Sequence, residues 1–163
     1  MPAPAPAPAP APEWRVREWL NAEAPLSLAS LRGKVVLLEA FQMLCPGCVG
    51  HGIPQALRAR QAFPEDALAV VGLHTVFEHH AAQGGAVALE AFLHENRVRF
   101  PVGIDAHADG DPVPLTMRAY AMQGTPTLLL YDRGGRLRLQ RFGAMEDMAL
   151  GAAIATLAAE PAG

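Results

Sequence analysis

The only two cysteines of this chain stand in the tetrapeptide Cys45-Pro46-Gly47-Cys48, a few residues behind an apolar run from Val35 to Phe41. A run that short, and β-branched at its start, reads as a buried strand. Pro46 suits a first helical position, and the stretch from Ala56 to Phe63 supplies helix formers with apolar spacing. The pair therefore sits at a strand-to-helix junction, where unpaired backbone N–H groups and the helix dipole favour an anion. An ordinary thiol is only about 3% thiolate at pH 7, and helix N-termini and CxxC settings raise that fraction. The thiolate is the nucleophile of disulfide exchange, and a second cysteine within reach can release the mixed disulfide. The chemistry implied is thiol–disulfide exchange.

A CxxC has three other possible uses. Structural zinc needs four ligands, and with no second cysteine pair His51, His74, His79 or His80 would have to complete the set. A structural disulfide across two residues closes a tiny loop and constrains little of the unfolded chain. Two buried inert thiols are the third alternative, since free cysteine is often buried.

A second signal lies eighty residues on. Gly124-Thr125-Pro126 leads into Thr127-Leu128-Leu129-Leu130-Tyr131, and a Gly134-Gly135 turn separates this run from the alternating stretch Arg136 to Phe142. The pattern is a β-hairpin whose first strand opens at a proline, the position where a missing N–H is tolerated. With a CxxC behind a strand, this resembles the thioredoxin superfamily, over nearly the whole globular part of the chain. Leu28-Ala29-Ser30-Leu31-Arg32-Gly33-Lys34 and Phe100-Pro101-Val102-Gly103-Ile104-Asp105 are similar to segments of its TlpA/ResA-type redoxin branch. The resemblance implies an α/β thioredoxin-like fold, a mixed central sheet flanked by helices with the CxxC at the N-terminus of a helix. It also implies a cis Thr125-Pro126 bond facing the cysteines. Cys45 would then attack, Cys48 would resolve, and Pro46, Gly47, Thr125 and Pro126 would contact substrate. Glu39, six residues before Cys45, matches the buried acidic residue of thioredoxins and would be the general base for Cys48. Its alternative is a strand-end glutamate reaching solvent.

Some positions depart from the family pattern. Leu44 stands where Trp is usual, so the docking surface is altered. The Pro-Gly between the cysteines reverses the thioredoxin order, and Gly47 replaces the histidine of DsbA-type proteins, leaving no side-chain donor there.

The 163 residues suit one domain with a proper core, and 51% hydrophobic content excludes disorder of the body. A net charge of −3 without any Lys/Arg cluster argues against nucleic-acid or membrane-surface binding. No apolar stretch reaches the length of a membrane span. Residues 1–12 are Met1 followed by alternating Pro and Ala, a PPII-like spacer without a charged leader or continuous apolar region. Residues 13–163 form the expected domain. The expected compartment is cytoplasmic, with an extracytoplasmic alternative because the branch resembled is often found there.

Between the two signals the chain alternates predicted elements. Strands are expected near 14–20, 34–41, 68–74 and 100–104. Helices are expected from the CxxC to 63, from Gly84-Gly85 onward with Val87, Leu89, Phe92 and Leu93 as an apolar face, over 115–122 and over 145–159. Such alternation indicates βαβ units. His74, Glu78, His79 and His80 cluster at a strand end, a place where ligands bind in open α/β sheets. Without four-ligand spacing the cluster reads as a polar rim loop.

The sequence thus points to a thiol–disulfide oxidoreductase with protein thiols or disulfides as substrates and an electron donor or acceptor as partner. No cofactor and no metal are expected, and the chain is expected to be monomeric. A peroxiredoxin-like peroxidase is the alternative, although Gln42 stands where that family carries Thr or Ser. A metallochaperone-type module using the CxxC and the histidines is a third reading.

Overall fold

A computed structural model describes residues 1–5 and 8–162. Pro6 and Ala7, within the expected spacer, lie outside the described residues. Six strands, β1 (Val16–Leu20), β2 (Val35–Phe41), β3 (Leu68–His74), β4 (Val102–Asp105), β5 (Thr127–Tyr131) and β6 (Leu137–Phe142), form one sheet in the order β1-β4-β3-β2-β5-β6. β2 lies in the middle, parallel to β3 and antiparallel to β5, and every one of its residues is buried. Burial on both faces explains why β2 reads as a continuous apolar run rather than an alternating one. β3 and β4 are parallel, while β1 and β6 close the two edges antiparallel to their neighbours.

Alternation along β2 divides the interior into two layers. Val35, Leu37 and Phe41 pack on the side covered by α1 (Ile53–Ala62), α3 (Ala86–Glu95) and α5 (Asp147–Ala159), represented there by Ile53, Ala56, Leu89, Leu93, Leu150 and Ile154. Val36, Leu38 and Ala40 face the other side, with Trp14, Leu28, Tyr131 and, from α4 (Leu115–Ala119), Met117. Glu39 falls in the first series, so its carboxyl enters the layer that holds α1 and Cys48.

Some local features differ from the sequence expectation. Val87 is exposed, leaving Leu89 and Leu93 as the buried apolar positions of α3. A short helix, α2 (His80–Gln83), occupies part of the segment read as a polar loop. The N-terminal tract ends by docking: Ala11 packs against the Trp14 layer, and the Tyr120 hydroxyl donates to the Pro12 carbonyl at 2.5 Å.

Helical winding starts at Pro46, as the motif predicts, and then widens over Cys48–Gly52, where the Ile53 N–H donates to the Cys48 carbonyl five residues back. Pro54 accounts for this turn. It carries no N–H and its ring crowds the carbonyl four residues before it, so regular α-helical bonding is interrupted at that point.

Candidate active site

Cys45 and Cys48 are both free thiols, the first half-buried and the second fully buried. The strand β2 ends at Phe41, the chain turns through Gln42, Met43 and Leu44, and Cys45 stands at the head of the helical segment. The Cys45 N–H donates to the Gln42 carbonyl at 3.1 Å, and Cys48 and Val49 N–H donate to the Cys45 carbonyl at 3.1 Å each. The Cys48 N–H also lies 3.3 Å from the Cys45 Sγ. The first turn of the helical segment thus aims a backbone donor at the Cys45 sulfur. The Cys45 thiol donates to the Thr125 carbonyl at 3.5 Å, so the segment ahead of β5 closes over the first cysteine.

The Thr125-Pro126 peptide bond is cis. Pro126 packs on the CxxC turn: a Cβ added at Gly47 would stand 3.3 Å from its Cδ. Burial pushes the Cys48 thiol well above its ordinary range, and the hydrogen bond with Cys45 adds to the rise. The two cysteines are thus unequal in access, and the inner one is held as a thiol.

Glu39 is buried beneath this turn, against Gly52 and Pro126, and its Oε1 has no hydrogen-bond partner. Burial first, and charge on Cys45 second, raise its pKa well above the usual carboxylate range. The solvent-reaching alternative for Glu39 does not hold. A buried carboxyl with no partner at Oε1 and a raised pKa holds its proton to higher pH than an ordinary carboxylate, the property a buried proton acceptor needs.

The histidines do not form one cluster. His74 continues the inward series of β3, after Leu68 and Val70, and is fully buried with its ring 5.2 Å from that of Phe41. Burial lowers its pKa to about 4. His79 and His80 lie beyond the strand, with His80 Nε2 at 2.8 Å from the Pro112 carbonyl. His51 Nε2 lies 3.1 Å from the Met145 carbonyl, near the start of α5. Among the described residues no group of three or more His, Cys, Asp or Glu side chains could hold a metal ion.

Sequence reasoning missed two features. Gln83, on α2, is buried and bonded to the loop before Cys45, and a glutamine among Ala-Ala-Gln-Gly carries no pattern that marks it. The inward placement of His74 was legible in the period-2 spacing of β3, which the rim-loop reading overrode.

Around the opening, Leu44 is 54% exposed, Phe142 is 51% exposed, and Val49 is exposed as well. Exposed apolar side chains thus stand next to the cysteines in the chain, at Leu44 and Val49, and beside Gly124 ahead of the cis-proline, at Phe142.

A dithiol at the head of a helix, capped by a cis-proline segment and underlain by a buried acid, defines a protein of the thioredoxin type. No protein-family model matches the chain. The crystal structure of a thioredoxin-like superfamily protein is similar over 94% of this chain and 99% of that one, at 56% identity and a TM-score of 0.92. The chain belongs to this thioredoxin-like superfamily. A thiol-disulfide isomerase from Corynebacterium glutamicum is 46% identical over 94% of this chain and 98% of that one, with a TM-score of 0.89. Protein DipZ of Mycobacterium bovis is 32% identical over 127 residues, which are 77% of this chain. The chain spans 17% of the length of that curated relative.

Proposed function

We propose that the protein is a thiol–disulfide oxidoreductase that exchanges its Cys45–Cys48 dithiol with protein disulfides. The observation that carries the reading is the unequal burial of the two sulfurs at the head of one helix. Cys45 is reachable and has an amide donor at 3.3 Å, while Cys48 is shielded one turn inside. In the reducing direction the Cys45 thiolate attacks a substrate disulfide, forming a Cys45–substrate S–S bond as the substrate S–S bond breaks and one substrate thiolate leaves. Glu39, as carboxylate, then takes the Cys48 proton. The Cys48 sulfur attacks Cys45, forms the internal disulfide and expels the second substrate thiolate. Two electrons pass from the pair to the substrate, and the reverse sequence oxidises a dithiol.

Pro46, Gly47, Thr125 and Pro126 are proposed to contact the substrate segment, and the partners are protein thiols or disulfides with an electron donor or acceptor, the chain acting as a monomer. The apolar rim at Leu44, Val49 and Phe142 supports contact with a protein chain rather than a charged small molecule. Among the described residues no helix is long and apolar enough to cross a membrane. The proposed compartment is the cytoplasm. Rapid acid quenching and alkylation of cells would then find the pair reduced, and an oxidised pair would move the protein outside the cytoplasm.

The testing experiment uses insulin-type disulfide reduction with two variants. Cys48→Ser is expected to accumulate a mixed disulfide through Cys45, and Cys45→Ser to trap nothing and lose activity. A Cys48→Ser protein that still turns over the disulfide defeats the assigned roles. Peroxide turnover by that variant with an external thiol favours the peroxidase reading instead.

A further inference from the structure

Two successive amides before the nucleophile are held from inside the protein. The Met43 N–H donates to His74 Nε2 at 3.3 Å, and the Leu44 N–H donates to Gln83 Oε1 at 3.1 Å. Gln83 is itself fixed, its Nε2 donating to Gln42 Oε1 at 3.0 Å and to the Glu78 carbonyl at 2.8 Å. Gln42 Oε1 also accepts the Phe77 N–H at 3.2 Å, and its Nε2 donates to the Thr125 hydroxyl at 3.3 Å. Gln42, His74 and Gln83 are all fully buried. These bonds join the CxxC loop, the end of β3, α2 and the Thr125-Pro126 segment into one connected network.

Buried amides left without acceptors are costly, so these bonds fix the loop, while His74 Nδ1 has no partner of its own. With Met43 and Leu44 turned inward at their N–H groups, Leu44 presents its side chain to solvent beside Cys45. The Cys45 sulfur then sits between the Cys48 N–H and the Thr125 carbonyl. Thr125 is reached from the same network, through Gln42. Loop and lid are therefore set by one pair of glutamines.

We propose that Gln83 is a positioning residue for the attacking thiol: through Leu44 and Gln42 it holds Cys45 at its amide donor and the Thr125 segment over it. The inference rests on Cys45 being the attacking sulfur, but not on which disulfides the protein reduces. His74 is the second anchor, acting on the neighbouring amide.

The probe is iodoacetamide alkylation of Cys45 in the reduced full-length chain, located by peptide mass, with no disulfide substrate present. Gln83→Met keeps the volume and removes both acceptor and donor. It is expected to slow Cys45 alkylation about tenfold, the scale of a modest misplacement of a reacting group. Gln83→Glu provides a signature that loss of folding alone does not produce. As a neutral acid its carbonyl oxygen can accept the Leu44 N–H while its O–H donates to Gln42. As a carboxylate it loses that donor and turns a charge toward the Gln42 and Glu78 oxygens. The ratio of variant to parent rate is therefore expected to approach one near pH 5.5 and to fall as pH rises to about 8.5, the span in which a buried carboxyl ionises.

Arg17, whose guanidinium bonds the Gly84 carbonyl, His74, Glu78, His79, whose carbonyl accepts the Gln83 N–H, His80, and His107, whose ring lies 5.5 Å from that of His80, are charged or titratable groups on the elements around position 83, together with Cys45 itself. Parent and variant share them, so they cancel in the ratio except where they shift the new carboxyl. A Gln83→Met protein alkylating at the parent rate overturns the proposal, as does a Gln83→Glu ratio that is flat with pH. Should Gln83→Met fail to fold, the Gln83→Glu ratio decides. Failure of the parent to reduce any protein disulfide would count against the proposed function and leave the alkylation result standing.

Discussion

Glu39 and Gly52 share one space: the Glu39 carboxyl lies where a side chain on residue 52 would stand. A Cβ there would come within 3.0 Å of Glu39 Cδ and 3.1 Å of Pro126 Cβ. The absence of a side chain at position 52 is what lets a carboxylic acid lie beneath the CxxC turn. The widened helical turn ends at this glycine, so the backbone irregularity imposed by Pro54 and the room for the acid occur together.

Gly52→Ala is expected to displace the Glu39 carboxyl and to destabilise the fold by about 1–3 kcal/mol, the usual cost of inserting a methyl into a packed interior. Urea unfolding monitored by Trp fluorescence measures it. An unchanged midpoint would mean that the interior yields at this place without cost.

Glu39→Gln is expected to slow resolution of the mixed disulfide about 10²-fold while leaving the first attack near its parent rate, within the span of general acid–base catalysis. Stopped-flow separation of the two phases checks it. Equal slowing of both phases would assign Glu39 to activation of Cys45 instead.

The same substitution has a stability consequence whose sign is opposite to that of a salt-bridged carboxylate. Glu39 has a folded-state pKa raised by burial, so the folded protein keeps the proton after the unfolded chain has lost it. Its contribution to stability is largest at low pH. From the unfolded value of about 4.3 upward it falls by about 1.4 kcal/mol per pH unit until the folded-state pKa is reached. Glu39→Gln removes that slope, and the variant should be more stable than the parent at pH 7. Denaturant unfolding between pH 4 and 8 would falsify this if the parent's advantage grew with pH.

His74 acts in the other direction. Its pKa is lowered to about 4 in the fold, so between pH 6.5 and 4 the unfolded chain takes up a proton that the folded one refuses. Stability is lost as pH falls through this window, by roughly 3 kcal/mol in all. His74→Gln can keep an acceptor for the Met43 N–H without titrating, and it should flatten the acid limb of the stability curve. Retention of the full limb in the variant would place the acid sensitivity elsewhere.

Much of the architecture was legible in one dimension because its signals are local. The apolar run ending at Phe41, Pro46 at the helix start and Pro126 at the opening of a hairpin strand each report the backbone geometry of their own few residues. Glu39 follows from the alternation of β2, which puts it on the same face as Val35, Leu37 and Phe41. The family pattern then joins two distant segments that no local rule could pair.

What the chain alone left open is where elements with no periodic signal meet. Gln42 and Gln83 are forty-one residues apart, and their bond at 3.0 Å exists because the sheet order sets the end of β2 beside β3 and brings α2 back over that end. The histidines show the same division. Close in sequence, His74 and the His79-His80 pair separate because the strand sends the first into the interior and ends before the others. Periodicity determines the face on which a residue lies; only the packing of all the elements against one another determines what stands opposite that face.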